Sequence, residues 1–338
     1  MPPSSETVIP RRHGAAVSAI LAVSIALSWI SCQAQPTPPA EPYEYTQLHL
    51  GVQVRIALYA GKEDAARTAA RAAFARIAAL EDVFSDYRPL SEVRRLTAAA
   101  AGTPVPVSPA LFDVLAASVA LSRRTDGAFD VTAAPLIQLW RGVRRAGALP
   151  DTPALAEARS RVGWDAIHLD AQERTVTLGK EGMGIDLGGI AKGYILDEAI
   201  ASLTAHGIRS ALVEAGGDLV VSGPPPGRAG WRITIPGAPD SVAAWAAALT
   251  HAAIATSGDT EQYLEVDGIR YSHVVDPRTG MALTSRLMAT VVAPSGRQAD
   301  SYATALTVLG KEKGLALLGG EPDLKLYVRS AADQAPVR

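Results

Sequence analysis

The sequence predicts an α+β fold, antiparallel sheets with packed helices, and three observations point there. Several short segments alternate apolar and polar residues with the period of half-buried strands, among them residues 47–59 with Leu48, Leu50, Val52, Val54, Ile56 and Leu58 on one face. Other segments follow the 3.6-residue period of amphipathic helices, as in residues 62–83 with Ala66, Ala69, Ala73, Ile77 and Leu80. Strands and helices do not alternate strictly, and two-residue turns such as Asp267-Gly268 signal hairpins.

Taken in order, a strand at 47–59 leads into the long helix at 62–83. A second helix covers 109–124, with Ser108 as N-cap and Pro109 at the first helical position. Further strands are expected at 166–169, 175–178, 211–213, 231–235, 254–257, 263–266 and 288–292, and helices at 192–206 and 300–309. No fixed-period repeat is present, and past residue 42 no linker divides the chain, so residues 43–330 read as one catalytic unit.

Composition excludes several functions. Of the 338 residues, 32 are Lys or Arg and 34 Asp or Glu, a formal net charge of -2, so there is no overall basic field to hold nucleic acid. The single cysteine rules out an internal disulfide and thiolate-rich zinc sites. That cysteine, Cys32, closes an uncharged apolar run over residues 14–31 behind Arg11-Arg12. The layout is that of an export signal, with residues 1–32 as the signal and Cys32 as the expected lipid attachment point on the periplasmic face of the inner membrane. Ordinary cleavage nearby and an uncleaved anchor are the alternatives. Pro36, Pro38, Pro39 and Pro42 then mark residues 33–42 as an extended spacer.

Five segments bear residues able to do chemistry, each with a plainer alternative. Tyr87 in Phe84-Ser85-Asp86-Tyr87-Arg88-Pro89 could stack on a flat ring, or the loop could simply end a helix. Ala128-Phe129-Asp130 follows the turn residues Asp126-Gly127, where glycine permits close backbone approach. The segment Ile185-Asp186-Leu187-Gly188-Gly189-Ile190-Ala191-Lys192-Gly193-Tyr194 runs from a strand into a helix, a place that suits an anion or tight strand–helix packing. His273 and Asp276 stand close in Tyr271-Ser272-His273-Val274-Val275-Asp276-Pro277 and could pass a proton, or Asp276 could serve a turn. Asp300 and Thr304 are four apart on one helical face and offer hard oxygens suited to Mg²⁺, unless Asp300 is a plain N-cap.

In this order and spacing, together with Leu212-Val213-Glu214-Ala215-Gly216-Gly217-Asp218 and Ala255-Thr256-Ser257-Gly258-Asp259, the segments resemble the ApbE family of FAD:protein FMN transferases over about residues 47–320. The resemblance implies a related single-unit fold of the T-fold kind. It implies a reaction in which the pyrophosphate of FAD is split, FMN is joined to a Thr or Ser of an acceptor protein, and AMP leaves. An electron-transport subunit is the acceptor type that the family suggests. By the same resemblance Asp300, Thr304 and the carbonyl of Gly189 would bind Mg²⁺, while Asp186 and Lys192 would contact FAD. Leu50, Tyr87, Ala128, Phe129, Asp130 and Val274 would line its ring pockets, and His273, with Asp276 assisting, would act as base. Leu50-Gly51-Val52 departs from the family's frequent Met-Gly-Thr, and Gln298 stands where Glu is common. A Mg²⁺-dependent FAD pyrophosphatase and a non-catalytic FAD-binding lipoprotein remain as alternatives to transfer.

Overall fold

Antiparallel pairing dominates the architecture. In the computed structural model, residues 40–235, 242, 248–258 and 263–330 are described. The export signal, Cys32, most of the spacer and Asp259 lie outside them. Strands β1 (Glu41–His49), β2 (Val52–Ala60), β6 (Ala211–Ala215), β7 (Asp218–Val221), β8 (Ala252–Gly258), β11 (Leu287–Ala293) and β12 (Lys325–Ser330) form one sheet in the order β1-β2-β6-β7-β8-β11-β12. Every neighbouring pair in it is antiparallel. Two small sheets flank it, β3 (Val105–Pro106) with β5 (Thr175–Leu178) and β4 (Ile167–Asp170), and the hairpin β9 (Tyr263–Val266) with β10 (Ile269–Ser272). Asp267 and Gly268 both have positive φ, as the hairpin expectation requires.

The large sheet sorts its side chains by alternation. Val213, Ala253, Ala255 and Val291 face the main core, while Leu212, Ile254 and Val292 face a second cluster on the opposite side. The main core is closed by three helices, α1 (Glu63–Phe84), α6 (Ala191–Ala205) and α7 (Gly296–Leu309). Alanines on one face of α1 let it lie close to α6, and the pair is fastened by Phe84 edge-on to Tyr194 at 5.5 Å and by Arg76 to Glu198 at 2.9 Å. Further helices among the described residues are α2 (Glu92–Ala98), α3 (Pro109–Arg124), α4 (Ala134–Ala146), α5 (Thr152–Ser160) and α8 (Lys311–Leu318). Ser108 caps α3 by accepting from Leu111 N–H, as expected. Among the described residues no helix is long and apolar enough to cross a membrane.

Three expectations need correction. The strand at 47–59 is a hairpin: β1 turns at Leu50 and Gly51, both with positive φ, and returns as β2. The apolar alternation runs through the turn unbroken, so the period conceals it. Pro42, assigned to the spacer, is already in β1 opposite Tyr59, on the sheet edge where proline is tolerated. Of the segment 231–235, only Trp231 pairs among the described residues, bonding Leu249 in both directions at 2.8 and 2.9 Å, so the expected strand is reduced there to a single bridge. Its alternating Trp231, Ile233 and Ile235 do pack into the second cluster, as the pattern implied.

A very close backbone approach joins α6 to the start of α7. A Cβ on Gly193 would lie 2.0 Å from the Gly296 carbonyl oxygen, and one on Gly296 would lie 2.4 Å from that of Gly193. Asp197 secures the junction by accepting from the N–H groups of Gly296 at 2.6 Å and Arg297 at 2.9 Å. Gly193→Ala is therefore expected to destabilise the protein by roughly 1–3 kcal/mol, the usual cost of overpacking. Gly142→Ala in α4, where a Cβ meets nothing within 4 Å, should be neutral or stabilising by up to about 1 kcal/mol. Thermal unfolding of the two variants checks the contrast.

Candidate functional site

The close helix contact decides where the central carboxylate sits. With α7 against the first turn of α6, Asp300 Oδ2 accepts from Gly193 N–H at 3.0 Å. The N-cap of α7 is Ser295, whose side chain accepts from Gln298 N–H, so Asp300 lies more than a turn inside the helix and does not cap it. Asp300 is 6% exposed. Burial, reinforced by the carboxylate of Asp218 and opposed by Lys192 and Gly193 N–H, pushes its pKa up to about 7. Thr304, one turn on, shares its face, and Gly189 rests so close that a Cβ there would fall 2.9 Å from Thr304 Oγ1.

Lys192, in the first turn of α6, reaches Asp218 Oδ2 at 2.7 Å. Asp218 opens β7 and is 3% exposed; its other oxygen accepts from Thr256 N–H at 3.0 Å. Burial raises the Asp218 pKa while Lys192 opposes the rise. Beyond it the hydroxyls of Thr256 and Thr290 meet at 2.9 Å. A half-buried ammonium, two buried carboxylates and three threonine hydroxyls thus converge from α6, α7, β7, β8 and β11.

The glycine turn before α6 supplies the opposite wall. Asp186 N–H bonds the Val131 carbonyl at 2.8 Å, tying this turn to the segment after Asp130. Its carboxylate accepts from Gly188 N–H at 2.9 Å and Arg141 at 3.3 Å, and burial pushes its pKa up. Asp130 is raised by burial as well, although it accepts from Thr132 N–H and hydroxyl at 2.8 and 2.7 Å and from Trp164 N–H at 3.1 Å. Both carboxylates thereby hold loops together beside the cavity.

His273 and Val274 follow β10 in an irregular hairpin, in which Leu283 N–H bonds the Val274 carbonyl at 2.9 Å and Ser272 N–H the Leu283 carbonyl at 2.7 Å. Trp140 on α4 pins this hairpin by donating to the Gly280 carbonyl at 2.9 Å and stacking on Tyr271 at 5.6 Å. Leu50 occupies the β1–β2 turn with φ 56°, held by Glu81, which accepts its N–H at 2.6 Å.

All these elements border one cavity of about 900 Å³, within the range of small-molecule sites. Leu50, Tyr87, Ala128, Phe129, Asp130, Asp186, Gly189, Lys192, His273, Val274, Asp300 and Thr304 all line it. Asp276 does not: its two oxygens hold the Arg278 guanidinium at 2.9 and 2.8 Å, in a turn that its backbone also closes. Asp218, Arg141, Arg144, Thr256 and Thr290 also belong to this site, without having been among the residues expected from the sequence. Asp218 stood in a glycine-flanked acidic segment that could have marked it; Arg141 lies on a helix that opens without a side-chain cap.

Comparison with known proteins identifies the family. The sequence model of the ApbE family matches residues 50–328. An FAD:protein FMN transferase of Treponema pallidum is 34% identical over 294 residues, covering 82% of this chain and 81% of its own. One of Klebsiella pneumoniae is 33% identical over 322 residues, 92% and 91% of the two chains. The crystal structure of the Pseudomonas stutzeri flavinyl transferase ApbE, apo form, superposes with a TM-score of 0.75 at 31% identity, over 86% of this chain and 95% of that one. With the family model matching residues 50–328 and four-fifths or more of its length aligned to these relatives, the chain belongs to the ApbE family.

Proposed function

We propose that this chain transfers FMN from FAD to a Ser or Thr hydroxyl of an acceptor protein and releases AMP. The observation that carries the reading is a cavity lined on the one hand by Lys192, Asp300, Thr304 and Gly189 and on the other by the aromatic and apolar Tyr87, Phe129 and Leu50. That division suits a ligand with a charged middle and flat rings, and the relatives named above are FAD:protein FMN transferases.

In the proposed reaction the acceptor oxygen attacks the phosphorus on the flavin side, the pyrophosphate bond breaks, and AMP departs with the bridging oxygen. Lys192, fixed by Asp218, supplies positive charge to the phosphates. His273 takes the hydroxyl proton, since a neutral imidazole serves as base near neutral pH. Asp276, committed to Arg278, acts on this base only through the fold of its turn.

The donor set fits Mg²⁺. Asp300, the Thr304 hydroxyl and the Gly189 carbonyl would hold it, all hard oxygens of the kind that this ion takes. When bound, the ion would neutralise charge on the pyrophosphate as the leaving phosphate forms.

We also propose that the chain is exported and anchored by a lipid on Cys32, a reading supported by the basic start and the apolar run before that cysteine. Fractionation of cells is the check: Cys32→Ala should move the protein out of the membrane fraction, and an unchanged distribution removes the anchor. For the reaction, the protein is incubated with FAD, Mg²⁺ and a candidate acceptor, and flavin fluorescence is read on a denaturing gel beside AMP release. Labelled acceptor with AMP supports transfer, AMP alone means hydrolysis, and neither product removes both. Asp300→Ala should lower turnover by more than about 100-fold, since even the outer partners of a metal cost about 10–100-fold when removed. His273→Ala should lower the transfer rate by about 10²–10⁴-fold if the imidazole is the base.

A further inference from the structure

Tyr87 is 76% exposed and yet lines the cavity, so burial does not fix how its ring points. Arg141 does: its guanidinium lies 4.8 Å from the ring centroid. The same guanidinium is held by two carboxylates from distant parts of the chain, Asp86 at 2.5 Å and Asp186 at 3.3 Å. Arg141, Asp86 and Asp186 are 26%, 23% and 11% exposed, so the group is shielded compared with an ordinary surface pair. A planar fork can face a ring and bridge two acids at once, which an ammonium cannot.

We propose that Arg141 is a positioning residue for FAD, holding Tyr87 as a stacking platform for one of the dinucleotide's flat rings. The inference rests on the FMN-transfer reading above. With one face of Tyr87 turned to the guanidinium, the other is left to receive a ring. Through Asp186, which also accepts from Gly188 N–H, the clasp ties this platform to the glycine turn that carries Gly189 and Lys192. The spacing between the ring platform and the phosphate-binding residues is thereby set by one side chain. Its donors face Asp86 and Asp186, so Arg141 acts on binding and not on bond-making.

The test is steady-state transfer with FAD titrated, alongside equilibrium dialysis of FAD, for the wild type, Arg141→Met, Arg141→Lys, Asp86→Asn and Tyr87→Ala. Arg141→Met should raise KM and Kd for FAD about tenfold, a loss of ordinary coupling size, with a much smaller change in kcat. Arg141→Lys should recover only part of this. Arg141→Met combined with Tyr87→Ala should cost little more than either alone, because the two act as one unit. Asp86→Asn, outside the cavity wall, loosens one arm of the clasp and should give a smaller rise in KM even if Arg141→Met fails to fold. Unchanged KM and Kd in both Arg141→Met and Asp86→Asn, or fully additive effects at 141 and 87, overturn the proposal. A wild type that labels no acceptor removes the transfer reading; one that labels normally while these variants match it removes only the role of Arg141.

Discussion

Two glycine backbones in contact set the depth of this site. Gly193 and Gly296 bring α6 and α7 closer than any side chain would permit, and only at that distance can the Gly193 N–H serve Asp300. A buried carboxylate without such a donor would carry the full cost of its desolvation. The same approach puts Thr304 against Gly189 and points Lys192 at Asp218, so the charged end of the cavity follows from one helix–helix distance. Asp197, capping α7 from α6, keeps that distance from relaxing.

The rest of the cavity is assembled around this end by loops that are each fastened from elsewhere. Glu81 on α1 holds the Leu50 turn, Asp130 holds the segment at Trp164, and Trp140 on α4 holds the hairpin of His273. Adjacent residues of α4 thus face different tasks, Trp140 in a buried cluster and Arg141 at the cavity. The stability of the wall comes from polar anchors as much as from apolar packing, and several of the anchors are raised carboxylates. Raised values mean that these carboxyl groups are harder to ionise folded than unfolded, so they favour the native state less as pH rises through their titration.

Much of the site was legible in the sequence because its residues occupy short segments where strands and helices end, and glycines and acids mark such ends. Asp186, Gly189 and Lys192 fell in one such segment; Asp300 and Thr304, set more than a turn inside α7, were legible from their four-residue spacing on one helical face, and the structure brings both groups to one cavity. What the sequence hid were relations with no local signature. The Lys192–Asp218 pair links a helix to a strand, and Arg141 joins residues on either side of it in sequence. The Leu50 turn was hidden for another reason: alternation of Leu48, Leu50 and Val52 continues across it, and only Gly51 gave a sign of reversal. Asp276 stands close to His273 in the chain, but its carboxylate is held by the nearer Arg278 guanidinium, a partner that spacing alone does not reveal.

The wall of the cavity draws on residues from Leu50 to Arg329, almost the whole length of the fold. Sheet neighbours distant in sequence, such as β2 with β6, make such a topology slow to close. A chain that has not yet placed its last strand therefore has no complete pocket, and a ligand meets the full wall only in the finished protein.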